Sequence, residues 1–506
     1  MSRSGDKRNP ARSLRAQFDD EFGATSQGGA VLVEQVMRRL GVRRLLQQSL
    51  PARSETSEYS SAEIGYAVLA GLLCGGEGFR CAEKLREDTL FARVFGLEER
   101  VGEEATVWRA MCEMAGLDKR KFRDTYEPAG PALTRLDMFG RTKLPARHRR
   151  VVCSQPEAMR DANREQFAGA LACLAVKCAK VVGASVLRVG PFIVVHGDGT
   201  DLEVRGRCFD AARVNHEGNC SLRQLLVRCG PIHCAQDILP GASDEGLNIP
   251  RLLSQAADTV IDKVKGSRRV LALLDAAYCE KAVVDELNRL NWLYVICANQ
   301  NRLALEQQAT QLASWEWKSQ GPDVGRGWSE SQVSTFRYMP EGWTQPQTVI
   351  VRRWREVDDL PGHWHYAFLY TNLAKEDLEG DKVRQYGYAA YLWMLYSTKQ
   401  GHENHFKPLL SDLGGHHPPS GRLGATQAFA FFTAMAANIH AVLAYKVVDH
   451  TERGIRPWRT RRDYFSIAGR VVMQAGRVLM VTLAGANLSD MRKRLWQSAF
   501  ATAGRL

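Results

Sequence analysis

Residues 192–202 read FIVVHGDGTDL, and this stretch decides the fold of the chain. Its four apolar residues FIVV have the length and composition of a short buried strand. A second apolar run, VLALL at residues 270–274, is followed directly by Asp275. Open α/β sheets bind ligands where strands end and loops begin, so we expect Asp198 and Asp275 to lie together at one sheet edge.

Each of these carboxylates also has a simpler structural interpretation. Asp198 and Gly199 form a dipeptide that is common in turns. Asp275 stands where the N-cap of a following helix would be. If the two carboxylates lie on neighbouring strand ends, they instead form an oxygen-rich pocket that suits Mg²⁺. Taken one at a time, the residues leave these interpretations open.

The segments around the two runs predict the rest of the sheet. Further strands are expected at residues 224–228, 233–239 and 292–298, with helices at residues 252–265 and 280–290. Three strands followed by alternating helices and strands are typical of an α/β sheet with parallel members.

Residues 301–380 interrupt this order with an aromatic block. Six of the 11 tryptophans fall here, and aromatic residues occupy every second position of WHYAFLYT, residues 364–371. That spacing is the period of a half-buried strand, and residues 348–351 predict another. The sequence therefore indicates a β-rich insertion.

Composition and charge narrow the class of protein. The 506 residues are 45% hydrophobic and 25% charged, which excludes a disordered chain or a collagen-like fibre. The net charge of +12 calls for an anionic partner, either nucleic acid or an anionic membrane surface. Residues 423–445 carry no formal charge, but they include Asn438 and His440, and we predict a buried core helix there rather than a membrane span.

A third acidic residue lies in YSTKQGHENHFKPL, residues 396–409. Helical spacing puts Tyr396, Lys399, Glu403 and Lys407 on one face, although Pro408 disfavours helix at the last of these. A solvated ladder of salt bridges would give the same spacing. The preceding turns are apolar, however, so this helix is expected to pack against the protein.

The order DGT, LLDAAY and Y-x-x-K-x-x-x-E resembles the acidic-triad (DDE) transposases of bacterial insertion sequences. It is most similar to the group with a Y-x-x-R-x-x-x-E signature and a β-rich insertion before the glutamate. The resemblance implies that Asp198, Asp275 and Glu403 are the catalytic residues and hold two Mg²⁺ ions, which Mn²⁺ can replace. Lys399 stands where the family usually has Arg, so it loses the bidentate fork but keeps the charge.

The resemblance also implies an organisation for the whole chain. The expected fold class is α/β, with an RNase H-like mixed sheet flanked by helices, interrupted by the β-rich insertion and preceded by an all-helical domain. The expected segments are a flexible basic arm at 1–30, a helical DNA-binding domain at 31–160, a first part of the catalytic core at 161–300, the insertion at 301–380, a second part of the core at 381–450 and a basic C-terminal helical region at 451–506.

Double-stranded DNA is the partner that this resemblance implies, both as inverted-repeat ends and as target, with a homodimer joining two ends. The DNA contacts are expected from the signature residues and from two basic clusters, although a generic solvated basic surface would look the same. A DNA-binding protein without catalysis and a nuclease without strand transfer remain alternatives. We expect a cytoplasmic protein without a membrane segment. The residues predicted to contact DNA are Tyr396, Lys399, Lys407, Arg147, Arg149, Arg150, Arg456, Arg459, Arg461 and Arg462.

Overall fold

One large mixed β-sheet runs through the middle of the protein. The side chains of residues 400–403 and 473–480 lie outside the described part of the structure. The computed structural model describes residues 24–97, 101–117, 157–204, 209, 211–215, 217–241, 243–298, 301–320, 323, 326–360, 362–378, 385–403, 408–474, 477–485 and 488–506.

The strands of these residues are numbered in chain order. They are β1 (Ala24–Thr25), β2 (Arg188–Val189), β3 (Phe192–Glu203), β4 (Arg213–Val214), β5 (Cys220–Cys229), β6 (Ile232–Leu239), β7 (Val270–Leu274), β8 (Leu293–Cys297), β9 (Lys318–Ser319), β10 (Trp328–Tyr338), β11 (Gln347–Glu356), β12 (His365–Thr371), β13 (Gly469–Gln474) and β14 (Arg477–Leu483).

Five strands form the part of the sheet that was expected to be the catalytic core. β3 pairs antiparallel with β5, and β5 pairs antiparallel with β6. β3 is parallel to β7, which is parallel to β8, so the spatial order is β6-β5-β3-β7-β8. The helices between β6 and β7 and between β7 and β8 are the crossovers that parallel pairing requires. The predicted α/β sheet with parallel members is confirmed.

The aromatic insertion continues this sheet. β12 pairs antiparallel with β8, and β11, β10 and β9 follow in that order. The 11-stranded sheet of the described residues therefore includes both the core and the insertion strands. β10 was not predicted, because its sequence WSESQVSTFRY is mostly polar and shows no apolar run. It forms because it pairs along its length with β11.

Helices cover both faces of the sheet. A capping box of Ser60 and Glu63 begins α3, and Pro250 lies within α9. The described α-helices are α1 (Val31–Arg39), α2 (Val42–Ser49), α3 (Ser61–Leu73), α4 (Glu83–Glu87), α5 (Thr89–Val94), α6 (Glu104–Met114), α7 (Asp161–Val182), α8 (Ala184–Leu187), α9 (Glu245–Ala256), α10 (Asp262–Val264), α11 (Lys281–Arg289), α12 (Arg302–Thr310), α13 (Tyr388–Glu403), α14 (Leu423–Val442), α15 (Pro457–Thr460) and α16 (Asp490–Arg505).

The uncharged helix α14 lies at the centre of the hydrophobic core. The helical segment Leu423–Val447 has a mean hydropathy of 1.5 and is long enough to cross a membrane, yet 89% of its apolar window is buried inside the protein. Its polar side chains have partners within the fold: Asn438 Oδ1 accepts from the backbone of His233 at 2.7 Å. This is the predicted core helix.

The N-terminal helices pack directly on α14. Phe79 makes an edge-to-face contact with Phe429, with ring centroids 5.4 Å apart. Trp108 of α6 donates from Nε1 to Ser420 Oγ at 3.1 Å. These helices share one hydrophobic core with the sheet and α7. Residues 118–156 of the predicted helical DNA-binding domain lie outside the described residues, so its boundary at residue 160 stays a prediction.

Two terminal segments differ from the sequence-based expectation. The tail beyond residue 451 was expected to be helical, but β13 and β14 form an antiparallel pair there, because GRVV and RVLMVTL are rich in β-branched and long apolar residues. Residues 24–30 were expected in a flexible arm, but β1 pairs with β13 and Gly29 is buried. A Cβ atom on Gly29 would come within 2.0 Å of the Tyr464 carbonyl, so this close approach requires glycine.

Candidate active site

The strand register brings the two predicted aspartates together. Gly197 of β3 pairs with Leu274 of β7 in the parallel ladder, so the next residues, Asp198 and Asp275, are neighbours. Even-numbered residues of β3 and odd-numbered residues of β7 pack against α13, and alternation puts both aspartates on that same face. The adjacency predicted from the two apolar runs is therefore confirmed.

The turn interpretation of Asp198 is wrong, and only the position of the N-cap expected at Asp275 is confirmed. Asp198 and Gly199 do not form a turn, because β3 continues to Glu203 and pairs both residues with β5. Asp275 precedes a short 3-10 turn, Ala276–Tyr278, but its side chain makes no capping hydrogen bond there. Its carboxylate is engaged instead by the helix that covers the sheet.

Helix α13 places two signature residues over Asp275. Lys399 Nζ donates to Asp275 Oδ2 at 2.5 Å, and the Tyr396 hydroxyl donates to Asp275 Oδ1 at 3.2 Å. Lys399 Nζ also lies 4.0 Å from Asp198 Oδ2. The side chain of Lys399 is only 4% exposed, so these charges interact in an environment that water screens weakly.

Burial sets the electrostatics of this cluster. It raises the pKa of the Asp198 carboxyl above the usual range, an effect that the charge of Lys399 partly offsets. Arg228, fully buried on β5, also stabilises the ionised form of Asp198. Burial lowers the pKa of Arg228 to about 10. Burial also raises the pKa of Tyr396 well above its usual range, so this residue is a hydrogen-bond donor at neutral pH.

A second, buried cluster lies on the opposite face of the sheet, beside the same part of β3. The Tyr278 hydroxyl donates to Glu245 Oε2 at 2.5 Å, and Arg223 pairs with Glu245. Glu245 begins α9, whereas Tyr278 ends the turn that starts at Asp275. The Glu245–Tyr278 pair therefore ties α9 to the backbone that carries Asp275. Sequence reasoning missed both residues, because neither is marked by its local pattern.

Asp201, the other acid of the first motif, is held elsewhere. Its Oδ1 lies 2.9 Å from Arg223, and its Oδ2 accepts from Asn215 at 2.8 Å. It is three residues beyond Asp198 on the same strand, so its side chain lies on the opposite face. This placement favours Asp198 over Asp201 as the partner of Asp275.

The third predicted acid lies at the end of the same helix. Glu403 is the last residue of α13 and follows Lys399 by one helical turn in the backbone. Its side chain lies outside the described residues, as does the whole of Lys407. The basic cluster of Arg147, Arg149 and Arg150 falls outside them as well.

The four arginines predicted in the C-terminal region have partners within the protein. Arg456 makes a bidentate pair with Asp412, with a shortest distance of 2.7 Å. Arg461 donates to the Asp412 carbonyl at 2.7 Å. Arg459 and Arg462 both pair with Asp463, at 3.3 and 2.7 Å. Among the arginines of this group that form ion pairs, Arg462 has the most exposed side chain, at 59%.

The donor set of the site fits divalent metal ions. Carboxylate oxygens are the ligands that Mg²⁺ prefers. Lys399 shows that the pocket favours a cation, because its ammonium group lies within 4.0 Å of both carboxylates. Asp275 is reachable from solvent, with 40% of its side chain exposed.

The chain belongs to the class of DDE-type transposases. A family model described as transposase DDE domain group 1 matches residues 139–497, and the chain belongs to this family. Among solved structures, the chain is similar to piggyBac transposase in a cryo-EM structure of its synaptic complex with hairpin DNA. The identity is 12% and the TM-score 0.37, over 88% of this chain and 77% of that chain. A search of curated proteins finds no match.

Proposed function

We propose that this transposase binds the terminal inverted repeats of an insertion sequence and catalyses Mg²⁺-dependent DNA cleavage and strand transfer. The observation that carries the proposal is the contact of Asp198 and Asp275, on adjacent parallel strands, with one buried cation from α13. Open α/β sheets generally bind ligands at the edge where their strands end, and this acid pair lies at that edge, which supports the proposal.

Asp198, Asp275 and Glu403 would hold two Mg²⁺ ions, and Mn²⁺ could replace them. When bound, the ions supply activation of the attacking hydroxyl and stabilisation of the leaving oxygen. Asp198 belongs to the central strand of the core and is the more buried of the two aspartates, so its position is fixed most firmly. Asp275 is the more exposed, so it would be the more accessible of the two to DNA.

Lys399 and Tyr396 would act on the DNA backbone. A buried ammonium next to the acids binds a phosphate oxygen as a point charge, although it lacks the fork of an arginine. Tyr396 keeps its proton, because burial raises its pKa, and can donate to the same phosphate or keep Asp275 oriented. Both residues lie on one face of α13, so a shift of this helix would move them together.

The net charge of +12 fits a double-stranded DNA partner, both as transposon ends and as target. In the C-terminal region, Arg462 is the best placed to contact DNA, since it lies over the Trp458 ring at 5.1 Å and remains exposed. A homodimer would join two ends, with one active site for each. We place the protein in the cytoplasm, on DNA and without membrane insertion.

Cleavage of a labelled duplex tests the proposal. The duplex carries the inverted repeat of the element that encodes the protein, with Mg²⁺ present, and binding is followed in parallel by gel shift. Asp198→Asn, Asp275→Asn and Glu403→Gln should abolish cleavage and keep binding. Asp285→Asn is the matched control, because this exposed acid pairs with Lys281 on α11, away from the proposed site.

The remaining outcomes separate the alternatives. Wild-type protein that binds the duplex without cutting it would be a DNA-binding protein. Cleavage without joined product would indicate a nuclease. Undiminished cleavage by Glu403→Gln would remove this residue from the proposed triad and leave Asp198 and Asp275 in place.

A further inference from the structure

The tip of the β11–β12 hairpin brings together three metal-ligating side chains. Asp359, His363 and His365 each offer one ligand atom, and these atoms all lie within 4.8 Å of one another. Asp359 Oδ2 and His365 Nε2 are 3.1 Å apart. We propose that this cluster, which we call the hairpin-tip cluster, binds a divalent transition-metal ion, with zinc as the best fit.

The distances suit coordination with little rearrangement. Zinc binds imidazole nitrogen and carboxylate oxygen at about 2.0–2.2 Å, which sets tetrahedral ligand atoms about 3.4 Å apart. The Asp359–His365 separation of 3.1 Å is already close to that value. His363 completes the set by a side-chain rotation, because its ring is exposed and contacts the His365 ring edge-on at 5.0 Å between centroids.

Two of the three ligands are held in place by neighbouring groups. Asp359 Oδ2 accepts from the backbone N–H of Glu356 at 2.6 Å. The His365 ring stacks on Trp354, and Trp354 stacks on Trp328, with centroids 5.6 and 4.9 Å apart. Such supporting contacts orient the ligands of natural metal sites and raise their affinity.

The donor set separates this cluster from the acids of the active site. Two imidazoles and one carboxylate suit zinc and its first-row neighbours, whereas Mg²⁺ prefers an all-oxygen set. Three protein ligands also leave one coordination position open to water or another donor. Asp198 and Asp275 offer only carboxylates, so the two sites should select different metals.

A bound ion would stabilise a hairpin tip in which two apolar side chains are exposed. Val357 and Leu360 of the tip are 73% and 79% exposed. Cys297, at the end of β8, pairs with Leu369, so the tip extends past the sheet edge at which Asp275 lies. The ion would therefore fix the position of the tip beside the sheet edge that carries Asp275.

Zinc titration of the full chain tests the inference. The metal-free protein is titrated by calorimetry, and Co²⁺ is used as a spectroscopic probe. Wild type should bind one equivalent, and His363→Ala and Asp359→Asn should bind it more than about 10-fold more weakly. The Co²⁺ spectrum should lack a thiolate charge-transfer band, because the cluster contains no cysteine.

His450→Ala is the matched control. His450 is an exposed histidine beside Asp449 at 3.2 Å, without a third ligand among the described residues. It should bind zinc as wild type does, and excess Mg²⁺ should not displace the ion. The inference is overturned if wild type binds no zinc, if His363→Ala binds it equally well, or if Co²⁺ shows thiolate ligation.

Discussion

The carboxylate of Glu245 lies directly beneath Gly199, where a Cβ atom would come within 2.2 Å of Glu245 Oε2. Gly199 follows Asp198 on β3, so the absence of a side chain here lets a buried acid approach the strand from the side opposite α13. Glu245 also accepts from Tyr278, three residues after Asp275. One buried carboxylate thus contacts the backbone of one candidate catalytic strand and the turn that follows the other.

Gly199→Ala should destabilise the fold and displace this contact. The added methyl group cannot be accommodated without moving Glu245 or β3, and such overpacking costs about 1–3 kcal/mol of unfolding free energy. Urea unfolding measures the loss. Gly169→Ala is the control: this exposed glycine of α7 has nothing within 4 Å of its Cβ position. That variant should gain stability by up to about 1 kcal/mol. Equal stabilities for the two variants would contradict the crowding at Gly199.

The adjacency of Asp198 and Asp275 could be predicted from sequence because each follows an apolar run of strand length. Parallel strands end at one edge, and alternation fixes the face on which each side chain lies. The sequence also predicted Tyr396 and Lys399 on one helix face. It could not predict that β3 continues to Glu203, because that extension depends on pairing with β5.

Other parts of the fold have no local signal. β10 is a mostly polar segment that becomes a strand through its partner β11. Glu245 is one acid among 56 acidic residues, and its partners Arg223 and Tyr278 are distant in sequence. A buried acid of this kind is defined only by the tertiary arrangement, which periodicity and residue spacing do not encode.

Asp198→Asn should stabilise the metal-free protein at neutral pH. Burial raises the pKa of Asp198, so the folded state binds its proton more tightly than the unfolded chain does. The ionised carboxylate therefore lowers stability, and this penalty grows as pH rises from the ordinary pKa of 3.8 through the folded value. Urea unfolding in chelator, at acidic and neutral pH, should show the variant's advantage increasing with pH.

Asp275→Asn is the matched comparison for that experiment. It removes the partner 2.5 Å from buried Lys399, whereas Asp198 remains at 4.0 Å. Breaking a buried pair in this way costs about 3 kcal/mol or somewhat less, since Asp275 is partly exposed. The two isosteric substitutions should therefore change stability in opposite directions. A loss of stability in both would show that Asp198 is not strained by its burial.

Arg353→Lys should destabilise the insertion strands. The Arg353 guanidinium lies between two indole rings, 3.9 Å from the Trp317 centroid and 4.3 Å from the Trp364 centroid, and donates to Gln332 at 2.5 and 2.8 Å. Lysine keeps the charge but loses the planar stacking and the fork, a cost of about 1–2 kcal/mol.

Tryptophan fluorescence during urea unfolding reports this change, because the contacts that are lost are those with the indole rings of Trp317 and Trp364. Arg302→Lys is the control, since Arg302 is exposed on α12 and pairs with Glu306, four residues on. This pair should contribute no more than about 0.5 kcal/mol. A fluorescence change and a midpoint shift as small as those of the control would refute the stacking contribution.

His440 should make the fold sensitive to mild acid. Burial lowers its pKa to about 3, and its Nε2 lies 3.0 Å from Thr460 Oγ1. The unfolded chain binds a proton near pH 6.5, whereas the folded state does not. The stability contributed by neutral His440 is therefore complete above that pH and is lost as pH falls toward 3. Between pH 7.5 and 5.5 the loss amounts to about 1.4 kcal/mol.

The comparison with His440→Gln isolates this effect, because glutamine can still bond to Thr460 but does not titrate. The difference in unfolding free energy between wild type and the variant should shrink by about 1.4 kcal/mol between pH 7.5 and 5.5. If the His440→Gln difference is constant over this range, His440 must accept its proton within the fold, and the helix that carries it must be open to water there.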